Sequence, residues 1–397
     1  MSVVFINCTG ETFTPTRSGA ISTWNWEVCR AAQRHGVEPW VISRTTNAEP
    51  HPWQRTILLD YPWIPQIRGT GLGRLFEMQR RLGHWGHVRQ GAYAKRVIKA
   101  IRENGLSEMP FVLHNDPEMA VHLRRNFPQA RIVHLFHNTN TCGERCRQDY
   151  PQAVSVAASV SDFTSRWQEG YFGLRAGSVQ TIYNGVDIES FTPSAQPPPG
   201  PPVINFVGRT DATKAPDLLL KAALKLAATT KDFSVQILGA RFYWGSEPDD
   251  YQRTLDDLSA QLAALGISVR RPGVIARPDL PGELRKAQIH VVPSRWDEPF
   301  GLTTVEGMAT GLALIASRTG GTAEIVGDSG LLFERDDVDG LTAHLVRLLA
   351  DPGLRADYGR LARTRAEKFT WDETWARVSS LTSGPKAARS EKQTILR

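Results

Sequence analysis

The sequence predicts an α/β chain of two doubly wound, Rossmann-like domains, each built on a parallel sheet. Three observations predict it. Short apolar runs of strand length alternate with helical stretches through the N-terminal half. Those runs end in polar or glycine-containing loops, as the strands of a doubly wound sheet do. The proline-rich segment Pro197-Pro198-Pro199-Gly200-Pro201-Pro202 then interrupts the pattern before it resumes.

The chain has 397 residues and 41% hydrophobic content, enough for two domains with separate cores. The predicted organisation is a first domain over 1–192, an extended linker over 193–202 and a second domain over 203–382. A polar, basic tail over 383–397 is expected to be flexible. In the first domain, strands are predicted over 3–7, 40–43, 111–114, 131–137, 154–158 and 179–183. Helices are predicted over 21–35, 91–104 and 118–127. In the second domain, strands are predicted over 203–207, 234–238, 289–292 and 331–333, with helices from 338 to about 381.

Composition narrows the function. No run of about 18 apolar residues is present and the N-terminus has no signal-peptide pattern, so a cytoplasmic enzyme is expected. Cys8, Cys29, Cys142 and Cys146 are too few for a disulfide scaffold, and Cys142-x3-Cys146 lacks a second ligand pair for zinc. The net charge of +6 is uneven: residues 1–192 hold 21 Lys and Arg against 16 Asp and Glu. From Arg68 to Arg102, nine Lys and Arg and the single acid Glu77 interleave with apolar side chains. Two readings fit: an amphipathic surface helix resting on an anionic membrane, or a solvated helix whose long cations lie over the core. His84-x-x-His87 in this stretch has no carboxylate to complete a metal site. No other segment supports nucleic-acid binding.

The loop at 9–19 follows the first strand, where ligands of open α/β sheets bind. It is not a G-x-G-x-x-G, and a plain β–α turn is the alternative. His114 and His137 each end a predicted strand, where a packed histidine competes with one facing an interdomain cleft. Gly208-Arg209-Thr210-Asp211-Ala212-Thr213-Lys214 follows the first strand of the second domain. Arg209 and Lys214 can converge there on a diphosphate, the fork and the point charge, or stand as two surface cations. Phe242-Tyr243-Trp244 suits either a sugar-facing lid or the edge of the core. Asp249-Asp250 lacks a third oxygen ligand and reads as a helix start.

The strongest signal is Pro293-Ser294-Arg295-Trp296-Asp297-Glu298-Pro299-Phe300-Gly301-Leu302-Thr303-Thr304-Val305-Glu306-Gly307. It reads as the exit of a buried strand, a polar loop and a helix N-terminus, whose unpaired N–H groups and dipole suit a phosphate. Taken alone, Thr303-x-x-Glu306 equally fits a capping box.

Glu298 and Glu306, flanking Pro299-Phe300-Gly301, resemble the paired-glutamate signature of retaining glycosyltransferases of family 4, the glycosyl transferases of group 1. Gly311–Ser317, Gly320-Gly321-Thr322-Ala323-Glu324-Ile325-Val326, Ile182-Tyr183-Asn184-Gly185-Val186-Asp187 and Phe369-Thr370-Trp371 follow that family's pattern in order. The resemblance implies the GT-B fold, with the two Rossmann-like domains facing each other across a cleft. It implies Arg209 and Lys214 as a diphosphate clamp, and Glu306 on ribose hydroxyls. Glu298 meets the sugar hydroxyls with backbone help from Phe300 and Gly301, and Leu302 and Thr303 offer N–H groups to the diphosphate. It further implies His137 beside the donor sugar and Gly19 beside the donor diphosphate, where Ser18-Gly19-Ala20 stands in place of the family's Gly-Gly pair. Pro272-Gly273-Val274-Ile275-Ala276 resembles the segment that meets the base.

The implied reaction is hexosyl transfer with retention from a nucleotide sugar, a UDP-sugar first and GDP-mannose second, to a glycan, lipid or small-molecule acceptor. No metal or cofactor is expected. A nucleotide-sugar hydrolase or epimerase on the same fold, or a non-catalytic carbohydrate-binding relative, is the alternative. The second of these would be expected to lose Glu298, Arg209 or Lys214, and all three are present.

Overall fold

The computed structural model describes residues 2–15, 19–61, 84–196, 198–241 and 250–384, with backbone alone for 84–90. They form two compact units, Met1–Tyr183 with Thr374–Arg397, and Asn184–Glu373.

The first unit holds seven strands: β1 (Val4–Ile6), β2 (Trp40–Arg44), β3 (Thr56–Leu59), β4 (Phe111–His114), β5 (Ile132–Phe136), β6 (Val156–Ser159) and β7 (Gln180–Thr181). They pair in the order β3-β2-β1-β4-β5-β6-β7, every pair parallel. Val4 lies opposite both Trp40 and Phe111, so the strand order reverses at β1. The strands are apolar along their length because parallel sheets are covered on both faces. The crossovers are α1 (Ala20–Arg34), α2 (His84–Glu103), α3 (Pro117–Asn126), α4 (Glu144–Ala153) and α5 (Asp162–Phe172). Ile101, Phe111, Leu123, Phe136 and Tyr150 close one core between sheet and helices.

The second unit repeats the plan. Its strands are β8 (Val203–Val207), β9 (Ser234–Leu238), β10 (Val269–Gly273), β11 (Ile289–Val292), β12 (Ala313–Ser317) and β13 (Leu331–Phe333). Their order is β10-β9-β8-β11-β12-β13, again all parallel. The reversal falls at β8, so the loops after β8 and β11 diverge there and leave a ligand-binding crevice at the strand ends. The helices are α6 (Pro216–Leu226), α7 (Asp250–Ala264), α8 (Leu280–Leu284), α9 (Leu302–Ala309), α10 (Thr322–Val326), α11 (Val338–Ala350) and α12 (Pro352–Ala366), followed by α13 (Trp371–Thr382), most of which groups with the first unit. Leu219, Ile237, Leu255, Ile289 and Leu345 form this unit's own core.

The predicted α/β class of two Rossmann-like sheets is the architecture observed, and Asp250 does begin a helix. Three strands are absent from the sequence reading: β12, a buried central strand within the motif at 311–317, and β3 and β10, both at sheet edges. β3 exposes Leu58, and β10 alternates half-buried positions with exposed ones and carries Arg270, Arg271 and Pro272. Edge strands lack the continuous apolar run that marks a buried one. The division of the chain also differs from the predicted linker at 193–202. The units part at Tyr183 and Asn184, and residues from Thr374 onward group with the first unit. Phe191 is buried and Pro193 packs on Gly311, so part of the expected linker belongs to the second unit's surface. Thr374 Oγ1 donates to Tyr183 O, and Arg131 Nε to Leu381 O, which explains the return of α13. Residues 385–397 of the expected tail lie outside the described residues, as do residues 68–83 of the basic stretch and Phe242-Tyr243-Trp244.

Candidate active site

The loop after β8 is built around Asp211. Its Oδ1 accepts the N–H groups of Thr213 (3.0 Å) and Lys214 (3.1 Å), and its Oδ2 accepts Arg209 Nε (2.8 Å). Arg209 also donates to Thr213 Oγ1 at 3.0 Å. Burial raises the Asp211 pKa, yet the bond from Thr213 and the charge of Arg209 outweigh it and hold the carboxyl below its ordinary value. The turn thus fixes Arg209 and the Lys214 backbone before α6 begins. Lys214 then reaches across the strand-order reversal, placing Nζ 2.5 Å from Glu298 Oε1.

Glu298 arrives from the loop after β11. Its side chain is 5% exposed, and the same Oε1 accepts Ser294 Oγ at 2.5 Å. Two devices hold this loop in place. Arg295 makes a fork on buried Asp217 of α6, at 2.7 and 2.9 Å, and donates Nε to Asp336. Burial raises the Asp217 pKa, but the bonds from Arg295, Lys221 and Tyr251 drive the carboxyl well below the usual range, so the anchor is ionised at neutral pH. The second device is Gly320-Gly321. Gly321 N–H donates to Glu298 O at 2.7 Å. Gly320 has φ +53, and a Cβ there would fall 2.4 Å from that same carbonyl oxygen. Only glycine lets the two chains approach so closely.

Gly301, with φ +86, turns the chain left-handed and caps α9 without a side-chain bond. Thr304 N–H folds back to Gly301 O, whereas the N–H groups of Leu302 and Thr303 lie in the first turn, which has no intrahelical acceptors. The Phe300 side chain is buried edge-on against Phe369, so only its backbone is available to a ligand. Glu306 is not the capping-box residue that Thr303-x-x-Glu306 allowed, because the cap is Gly301 and Glu306 sits inside the helix. Its carboxylate is 2% exposed; Oε1 accepts Arg277 at 2.5 Å, and Oε2 is buried with no hydrogen bond among the described residues. Burial raises its pKa, and Arg277 opposes that rise. An acceptor so placed is poised for a ligand hydroxyl.

Glu298, Glu306, Arg209, Lys214, Phe300, Gly301, Leu302 and Thr303 therefore meet at the strand ends of one unit. His137 and Gly19 belong to the other. There His137 follows β5, with its N–H on Asn115 Oδ1 (2.7 Å) and its ring Nε2 2.9 Å from His114 Nδ1. Gly19 caps α1, and its N–H donates to Glu11 Oε2 at 3.2 Å. Sequence reasoning missed Arg277, Ser294 and Arg295. The signal for Arg277 was a guanidinium after a strand carrying the resemblance at 272–276. For the other two it was a polar pair inside the strongest motif. Among the described residues no group of three metal-ligating side chains occurs.

Two Rossmann-like sheets with a cation-rich, acid-bearing crevice on the second match a known architecture. Sucrose-phosphate synthase from Thermosynechococcus elongatus superposes with a TM-score of 0.74 at 20% identity, covering 96% of this chain and 98% of that one. The fold is that of the GT-B class. The family profile described as glycosyl transferases group 1 matches residues 187–365, which include every crevice residue named above. The phosphatidyl-myo-inositol mannosyltransferase of Mycolicibacterium smegmatis is 28% identical over 297 residues, 72% of each chain. A D-inositol 3-phosphate glycosyltransferase of Acidothermus cellulolyticus is 28% identical over 396 residues, 90% of this chain and 84% of that one. Residues 187–365 belong to the glycosyl transferases of group 1.

Proposed function

We propose that the protein transfers a hexosyl group, with retention of the anomeric configuration, from a nucleotide sugar to an acceptor hydroxyl. The observation that carries this is the Lys214–Glu298 pair beside the first-turn N–H groups of Leu302 and Thr303, with Glu306 Oε2 in the same helix buried and without a hydrogen bond among the described residues. Breaking the anomeric C–O bond leaves charge on the departing diphosphate, and preorganised positive charge is the largest help available. Arg209, Lys214 and the helix end supply it from the protein's own groups, and we assign no metal to the step. Glu306 takes the ribose hydroxyls. Glu298 takes the sugar hydroxyls, with Lys214 balancing its charge, and His137 also meets the sugar. In a front-face route the acceptor oxygen bonds to the anomeric carbon as the bond to phosphate oxygen breaks. The departing phosphate oxygen takes the acceptor proton, so Glu298 need not be a nucleophile.

A UDP-sugar is the favoured donor, with GDP-mannose second. The names of two relatives point to an acceptor bearing an inositol phosphate, free or lipid-borne. A lipid-borne acceptor fits the first unit's chemistry. Among the described residues no helix is long and apolar enough to cross a membrane. A cavity of about 890 Å³ on α2 and α3 is nevertheless lined by Lys95, Arg96, Lys99, Arg102 and His122, a basic surface suited to anionic headgroups.

The test is product formation in EDTA. UDP-glucose and GDP-mannose are each offered with inositol phosphate or with phosphatidylinositol vesicles, and the anomeric coupling of the product is read by NMR. Retained configuration with one donor supports the proposal. Donor hydrolysis without acceptor-dependent product favours the hydrolase alternative.

A further inference from the structure

We propose that His114 is a positioning residue that holds His137 in the Nδ1–H tautomer, so that His137 offers a hydrogen-bond donor, not an acceptor, to the donor sugar. The proposal rests on the reading that His137 meets that sugar.

Both rings lie at the ends of neighbouring strands of the first unit, His114 on β4 and His137 just after β5. His114 is fully buried, and its Nδ1 is 2.9 Å from His137 Nε2. One proton must lie between these two nitrogens, because two bare lone pairs would repel. Burial, followed by the charges of the neighbouring histidines, pushes the His114 pKa well below its ordinary value, and burial lowers His137 to about 3. Each ring therefore carries a single proton at neutral pH. The question is which ring donates.

The surroundings of His114 answer it. Its Nε2 is buried and makes no hydrogen bond among the described residues. If His137 donated, His114 would have to carry its proton on Nε2, as a buried N–H without an acceptor. Orphaned N–H groups are the rarer and costlier defect. Trp24 reinforces the choice. Its ring stands edge-on to His114, with centroids 5.0 Å apart, and its own indole N–H is buried with no acceptor among the described residues. A bare Nε2 lone pair beside a ring bearing an orphan donor is favoured over a second orphan donor. His114 thus carries its proton on Nδ1 and donates to His137 Nε2. His137 must then carry its proton on Nδ1, a nitrogen with no hydrogen bond among the described residues.

His134 shows that this region fixes tautomers in the same way. Its Nε2 accepts the N–H of Asp116 at 3.1 Å, which leaves Nδ1–H to donate to Tyr150 OH at 3.0 Å. The His137 backbone N–H is held by Asn115 Oδ1, and its ring stands edge-on to Trp24 at 5.6 Å. A ring so held presents one nitrogen, and the hydrogen bond on its far side decides that nitrogen's character.

The test begins with isotope-labelled histidine in the full chain and a long-range proton–nitrogen correlation at neutral pH. Peaks are assigned with His114→Asn, His114→Phe and His137→Ala. Both His114 and His137 are expected as Nδ1–H. Asparagine keeps an N–H near the position of Nδ1, and phenylalanine removes it. With an active donor, His114→Phe should lower kcat about 10- to 100-fold with less than a threefold change in donor KM, and His114→Asn should recover most of it. An Nε2–H signal for His137 in the wild type, or equal kcat in the Asn and Phe variants, would overturn the proposal. The wild-type spectrum decides the tautomer even if a variant misfolds. Full activity in His137→Ala would instead overturn the reading beneath it.

Discussion

Replacing Lys214 by Met separates what this residue does for the fold from what it does for the ligand. Its Nζ lies 2.5 Å from Glu298 Oε1, with the glutamate side chain 5% exposed and the lysine 26%. Removing the ammonium leaves a buried carboxylate with Ser294 as the remaining donor to Oε1. Breaking a fully buried pair costs about 3–5 kcal/mol, and water reaching the lysine side reduces this to about 1–3 kcal/mol. For a unit of this size each kcal/mol lowers Tm by roughly 2–4 °C, so a drop between about 2 and 12 °C is expected. Lys214→Met/Glu298→Gln removes the orphaned charge and should recover most of that loss. Nucleotide binding should not recover. Losing one charge-assisted bond to the diphosphate costs about 1.5–3 kcal/mol, or roughly 10- to 100-fold in Kd, in both variants. Scanning calorimetry and titration calorimetry with UDP read the two effects separately. A single variant that melts with the wild type, or a double variant that binds UDP as the wild type does, would refute the reasoning.

Glu306→Gln should weaken UDP about 10- to 100-fold by removing a charged acceptor for ribose hydroxyls, and should leave binding of a 2′,3′-dideoxy nucleotide nearly unchanged. Gly320→Ala must place a Cβ 2.4 Å from Glu298 O and hold φ +53. A loss of at least about 1–3 kcal/mol in denaturant unfolding is expected, with sugar-nucleotide affinity falling more than UDP affinity. Burial lifts Glu11 from 4.5 to about 7, against the lowering from Gly19 N–H and Arg44. Between those values the folded state binds more protons than the unfolded one, so stability falls as pH rises through that window and the loss is complete above it. Glu11→Gln should flatten this slope in thermal melts and raise Tm relative to the wild type on the alkaline side.

Much of the fold was legible because parallel strands covered on both faces read as continuous apolar runs. Residues 111–114 and 289–292 were bounded correctly for that reason. β3 and β10 were not, because an edge strand half-open to water carries no such run. The crevice loops were legible as motifs, but not the pairs that hold them. Arg277 meets Glu306, and Arg295 meets Asp217, across sequence separations of 29 and 78 residues that only sheet topology brings together. The predicted helix at 118–127 and strand at 131–137 each lay within one residue of the observed bounds. That His114 at one strand end touches His137 at another is a property of register, Leu113 opposite His134, which local sequence does not encode. Proline content marks stiffness, whereas the division of units at Tyr183 and Asn184 follows where α13 packs.

The most direct test of the crevice is titration calorimetry with UDP, GDP and ADP in EDTA, on the wild type, Arg209→Ala and Lys214→Ala. Metal-free binding of one nucleotide, UDP first, is expected, weakened about tenfold or more by each substitution. If no nucleotide binds the wild type at millimolar concentration, the crevice is not a donor site, and a carbohydrate-binding role takes its place.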